Sequence, residues 1–130
     1  MNDTPFEKFT RDYHKGEIIF EENSTGDEMY IIHSGRVRLF TRVERSDEVT
    51  LAVVEEGGFF GEMTLIDGSP RSTTAVAEEQ TRLIALDRPK FLYMVQQQPM
   101  FVFTIMHALC ERIREANLLL ARARGEEAPR

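Results

Sequence analysis

The residues best equipped for chemistry sit in one stretch, Gly57-Gly58-Phe59-Phe60-Gly61-Glu62-Met63-Thr64-Leu65-Ile66-Asp67-Gly68-Ser69-Pro70-Arg71-Ser72-Thr73. Arg71 supplies a guanidinium, the side chain best shaped for two-pronged contact with phosphate oxygens. Ser72 and Thr73 add hydroxyl donors beside it. Residues 62–66 can make one short helical turn. The first N–H groups of such a turn have no intrahelical partner, and with the positive end of the helix dipole they attract an anion. Gly61 permits the tight turn that starts it, and Asp67-Gly68-Ser69-Pro70 turns the chain back so that Arg71 reaches the same place. Glu62 is an acceptor beside an anion site, which makes sense if the ligand also carries a sugar hydroxyl. A surface turn with a solvated arginine is the plain alternative. It would have to explain the glycines, two inward-facing aromatics and a returning arginine at once.

A site of this kind needs a frame, and the sequence around it reads as short strands. Residues 13–20 form strand, glycine turn, strand. Residues 21–27, with Asn23, Ser24 and Gly26, form a loop. Residues 29–33 are a strand, Ser34-Gly35 a tight turn, and residues 36–40 alternate polar and apolar as a half-wet strand does. A charged turn follows at 44–47, then strands at 49–54, 74–78 and 82–86. Many short strands with glycine turns imply an antiparallel sandwich or barrel. From Asp87 the period becomes helical. Asp87 caps a helix, Pro89 suits its first turn, and the helix runs to Gln97. Pro99 opens a second helix to Arg124, roughly 39 Å long at 1.5 Å per residue. Along it Val102, Met106, Leu109, Ile113, Ala116, Leu120 and Ala123 make a heptad-like seam, and Phe101, Ile105, Ala108 and Leu119 widen the apolar arc. One side is expected on the strands and the other on a partner helix. Residues 1–10 are expected to hold a short helical turn through Pro5, Phe6 and Phe9, and residues 126–130 a frayed tail.

Phe60-Gly61-Glu62-Met63-Thr64-Leu65, followed by Gly68-Ser69-Pro70-Arg71-Ser72, resembles the phosphate-binding cassette of cyclic nucleotide-binding domains. That family includes bacterial catabolite activator proteins and the regulatory subunits of cyclic-AMP-dependent kinase. A second, separate match supports it: Gly16-Glu17-Ile18-Ile19-Phe20, Gly26-Asp27-Glu28-Met29-Tyr30-Ile31-Ile32 and Ser34-Gly35-Arg36-Val37 are similar to the family's strand-and-turn signature in order and spacing. The resemblance implies a mainly β fold, an eight-stranded antiparallel β-roll of the jelly-roll type over about residues 12–87. The cassette is inserted between strands, and helices follow at about 88–97 and 99–124, making one domain of residues 1–125. It implies that Glu62 holds the ribose 2′-hydroxyl, that Arg71 and Ser72 hold the cyclic phosphate, and that amides near Gly61, Met63 and Thr64 join them. Thr73 departs from the pattern, since many members carry Ala there; its hydroxyl either alters base preference or points into the roll. In the catabolite activators the base meets the long helix, and the matching positions here are Ala116 and Asn117. Asn117 could hydrogen-bond a purine edge or flank the helix seam as a polar residue. The family's activators pair through this helix, which implies a parallel homodimer.

Composition bounds these readings. The chain has 130 residues, 42% of them hydrophobic, enough for one domain with a core. Its net charge of −6 gives no electrostatic drive toward nucleic acid or anionic lipid, so neither is an expected partner. The single cysteine, Cys110, excludes an intrachain disulfide and fits a reducing compartment. The amino terminus resembles no signal or transit peptide and no apolar run is long enough to span a bilayer, so a cytoplasmic location is expected. His14, His33 and His107 are dispersed and read as surface or packing residues rather than metal ligands, and no metal is expected. No nucleophile–base arrangement is present, so an enzyme such as a phosphodiesterase is not expected. Residues after Arg124 make no helix-turn-helix. The expected function is a stand-alone sensor without a DNA-binding domain. It binds cyclic AMP first and cyclic GMP second, moves its C-terminal helices, and passes the signal to an effector protein. The alternative is a ligand-independent dimerisation or scaffold module on the same fold.

Overall fold

Alternation of apolar and polar residues, broken by turn residues every few positions, produces eight strands and three α-helices in a computed structural model that describes residues 7–44 and 47–125. A single 3₁₀ turn at Glu7–Phe9 precedes β1 (Thr10–Tyr13), β2 (Ile18–Phe20), β3 (Met29–Ser34), β4 (Arg36–Arg42), β5 (Glu48–Glu55) and β6 (Phe59–Phe60). Then come α1 (Glu62–Asp67), β7 (Thr74–Ala77), β8 (Thr81–Leu86), α2 (Arg88–Gln97) and α3 (Met100–Ala123). The strands form two four-stranded antiparallel sheets, ordered β1-β8-β3-β6 and β2-β7-β4-β5. The eight-stranded roll with an inserted cassette and C-terminal helices is therefore present. The expected turn at Ser34-Gly35 is there, but it joins strands of different sheets, so it hands the chain across the roll instead of closing a hairpin. The expected helical turn near the amino terminus includes Phe9. Pro5, Phe6, part of the charged turn at 44–47 and the tail at 126–130 lie outside the described residues.

The core lies between the inner faces of the two sheets. Tyr30, Ile32, Val37, Phe60, Ala75, Leu83 and Ala85 form it, with Phe20, Leu39 and Val54 packed against it. Tyr30 and Ile32 of β3 and Leu83 and Ala85 of β8 face this core, while Ile31 and Ile84 between them are half-buried. The register Tyr30↔Phe60 and Ile31↔Phe59 fixes β6 beside β3 and so fixes where Gly61 and Glu62 begin.

The chain falls into two compact units, divided between Leu92 and Tyr93 within α2. In the first, Asp87 caps α2 as its sequence position implied: its Oδ1 accepts the amide of Lys90 at 3.0 Å. In the second, α3 runs for 24 residues, about 36 Å at 1.5 Å per residue. Of the seven positions of the expected seam, Met106, Ile113, Ala116, Leu120 and Ala123 are exposed. Val102 and Leu109 are half-buried and Ile105 is buried, whereas Phe103, which was assigned to no seam, is exposed along with Met106, Ile113 and Leu120. Leu119, expected to widen the arc, is exposed as well.

Candidate functional site

Gly61 takes φ +79°, a left-handed conformation that glycine adopts without cost, and so turns the chain from β6 into α1. Having no side chain, it also gives α1 no side-chain cap. The helix therefore begins with its orphan N–H groups uncapped from that position. At the other end Gly68 donates its amide to Thr64 O at 3.0 Å, and Asp67 Oδ1 accepts the amide of Ser69 at 2.9 Å. These two bonds make the return turn that the sequence implied.

The return delivers Arg71 to the loop before β3. Arg71 donates its amide to Ser24 O at 2.8 Å, and its carbonyl accepts the amide of Asn23 at 2.7 Å. Asn23 itself sits at φ +69°. Held at its backbone on both sides, Arg71 sends its side chain inward, and only 4% of the residue is exposed. The guanidinium lies 4.2 Å from the ring centre of Phe20 and 5.7 Å from that of Tyr30. These rings belong to a cluster with Phe60 and offer the cation their faces. Nη1 donates to Gly61 O at 3.2 Å. Nε is buried without a hydrogen-bond partner among the described residues. No ion pair to Arg71 forms among them either. Burial pushes the guanidinium below its ordinary value, opposed by Tyr30, Glu28 and Asp27 in that order. It nonetheless stays charged at any physiological pH. A buried cation with an unfilled donor and no anion paired to it is costly as it stands, and an incoming anion would relieve that cost.

Two glycines make room for this side chain. A Cβ on Gly26 would come 2.6 Å from Arg71 Nη2, and one on Gly61 would come 2.9 Å from Nη1. Either approach is closer than real contacts allow. Beyond the rings, Tyr30 donates its hydroxyl to Glu28 Oε1 at 3.2 Å, and Arg11 binds the same carboxylate through both terminal nitrogens. Burial, then the Glu28 charge, push the Tyr30 phenol up to about 12, so Tyr30 is a neutral donor here.

The structure brings Gly61, Glu62, Thr64 and Arg71 into one place at the head of α1. Glu62 and Thr64 are buried; Met63 is exposed on the same helix, Ser72 is exposed next to Arg71, and Thr73 is half-buried. Ala116 and Asn117 lie in the second unit, exposed on α3. Phe20, Tyr30 and Gly26 were not singled out as site residues from sequence. Each stands in the second stretch of family resemblance, where its role beside Arg71 had no local signal.

A buried arginine at the head of a short helix, inserted between strands of an antiparallel roll, is the arrangement that the family comparison bears on. The cyclic nucleotide-binding domain model matches residues 10–98, well over half of the chain. The chain belongs to the cyclic nucleotide-binding domain family. Cyclic AMP receptor protein of Thermus thermophilus is 40% identical over 116 residues, 89% of this chain and 54% of that protein. The crystal structure of the Thermus thermophilus catabolite activator protein matches with a TM-score of 0.79 at 38% identity, covering 88% of this chain and 54% of that one. The cAMP-dependent protein kinase regulatory subunit of Dictyostelium discoideum is 35% identical over 86 residues, 66% of this chain and 26% of that protein. This cyclic nucleotide-binding domain thus spans about half, or less, of the length of these relatives. No helix among its described residues is long and apolar enough to cross a membrane.

Proposed function

We propose that the chain is a cyclic nucleotide sensor, taking cyclic AMP first and cyclic GMP second. The observation that carries this is Arg71: a buried guanidinium with an unfilled Nε, no ion pair among the described residues, and its position at the uncapped head of α1. Arg71 pairs with the cyclic phosphate, Ser72 donates to it, and the amides near Gly61, Met63 and Thr64 complete its cradle. Glu62 accepts the ribose 2′-hydroxyl. Thr73 either influences base preference or turns its hydroxyl into the roll. Ala116 and Asn117 on α3 are the candidate contacts to the base. The chain does no chemistry on the ligand. Ligand binding shifts the C-terminal helices, because a ligand moves an equilibrium only by its differential affinity for the two states. The output passes through a homodimer along α3 to an effector protein, in the cytoplasm.

Calorimetry with cyclic AMP and cyclic GMP on the full chain tests this. Heat of binding with cyclic AMP, lost or sharply weakened in Arg71→Ala, is expected. No heat with any cyclic nucleotide would leave a ligand-independent scaffold with the same fold. Hydrolysis of the nucleotide on long incubation would make the chain an enzyme.

A further inference from the structure

α1 is only six residues long, too short to hold its own conformation unaided. Two arginines from later in the chain hold its ends. At its head Arg71 Nη1 donates to Gly61 O at 3.2 Å. At its foot Arg88 Nη2 donates to Leu65 O at 3.0 Å. α1 has no basic residue in its own last turn, so Arg88 supplies from outside both the donor and the positive charge that a helix end favours. Arg88 is also the first residue of α2, directly after its cap Asp87. Cassette helix and α2 are therefore tied by one side chain, within the unit that ends at Leu92.

We propose that Arg88 is the positioning residue that couples ligand capture at the cassette to the first turn of α2. The inference rests on the cyclic nucleotide reading of the site. An anion that takes the donors of Arg71 competes with Gly61 O for Nη1, and so alters the hold on the head of α1. The foot then decides the consequence. With Arg88 in place, α1 cannot shift without pulling on the start of α2. Without it, α1 responds alone. The coupling is reciprocal: whatever ligand does to the Arg88–Leu65 bond, that bond does to ligand affinity.

The test uses the full chain with cyclic AMP. Calorimetry reads binding, and hydrogen exchange reads the amides of α1 and of residues 88–92, in wild type, Arg88→Ala and Arg88→Lys. In wild type, ligand is expected to change exchange in both places. In Arg88→Ala, ligand is expected still to bind and to change exchange in α1, with the change at 88–92 lost. Arg88→Lys keeps a charged donor and is expected to restore part of it, which a merely structural role would not do; it also serves if the alanine variant does not fold. An undiminished response at 88–92 in Arg88→Ala, with ligand bound, overturns the assignment of Arg88 and leaves the site intact. Failure of wild type to bind any cyclic nucleotide overturns the reading of the site and the coupling with it.

Discussion

Truncating Arg71 removes the cation that the proposed phosphate would pair with. Losing one partner of a buried, hydrogen-bonded charge pair costs about 2–5 kcal/mol, so Arg71→Ala is expected to weaken cyclic AMP binding roughly 30-fold or more. Glu62→Gln keeps an amide oxygen that still accepts from a ribose hydroxyl, and its loss should be the smaller; calorimetry that reverses the order would show the two roles assigned wrongly. Gly26→Ala is a sharper probe. Its Cβ would intrude only on the far end of the Arg71 side chain, at 2.6 Å from Nη2. The fold should survive while the guanidinium is displaced, so melting temperature should change little and affinity should fall markedly. Tyr30 gives a pH signature. Its folded pKa of about 12 lies above the ordinary 10.0, so the neutral phenol favours the folded state. That stability is fully present below pH 10 and is lost as pH rises through 12. Thermal melts across this range should fall less steeply in Tyr30→Phe than in wild type. At this scale the return of Arg71 to Gly61 was legible, because glycine turns on either side of a short helical run are a local pattern. Phe20, Tyr30 and Gly26 were not, because their role depends on which side chain folds over them from β-strands away.

Asp87 shows how far a single element can be read in advance. A carboxylate directly before a helical pattern, with proline early in the first turn, named the start of α2, and the bond from the Lys90 amide is present. Asp87→Ala should cost ~1 kcal/mol, read as a loss in denaturant melts. It should also weaken the ligand-dependent response at residues 88–92, since the same turn carries Arg88. The strands were legible for the same reason, local periodicity. Their distribution between sheets was not, because nothing local distinguishes the Ser34-Gly35 turn of a hairpin from one that crosses between sheets. α3 was expected over 99–124 and runs over Met100–Ala123, and of its expected seam only Val102 and Leu109 are half-buried. Apolar residues lie all round the front of this helix, so spacing alone let either Val102 or Phe103 lead the seam. Phe103 is exposed and Val102 half-buried.

For the whole molecule, an exposed stripe on α3 supports the proposed pairing of two chains. Phe103, Met106, Cys110, Ile113, Asn117 and Leu120 are all exposed and follow alternating spacings of three and four. They fit the a and d positions of a heptad, with Asn117 at an a position. Phe103 is 62% exposed and Ile113 61%, and an apolar stripe left open in this way fits an interaction surface. A single asparagine at an a position weakens a two-stranded coil and fixes it parallel and in register, because only then do the two amides meet. Ile113→Glu should therefore convert the chain to monomers in sedimentation, with the roll intact by far-ultraviolet circular dichroism. Asn117→Val separates the two roles open to that residue. If it pairs across the seam, association should tighten and register relax while cyclic AMP affinity holds. If it contacts the base, affinity should drop while association holds. A wild-type chain that sediments as a monomer at high concentration, with and without cyclic AMP, would remove the homodimer from the proposed mechanism and leave the cassette to act through α2 alone.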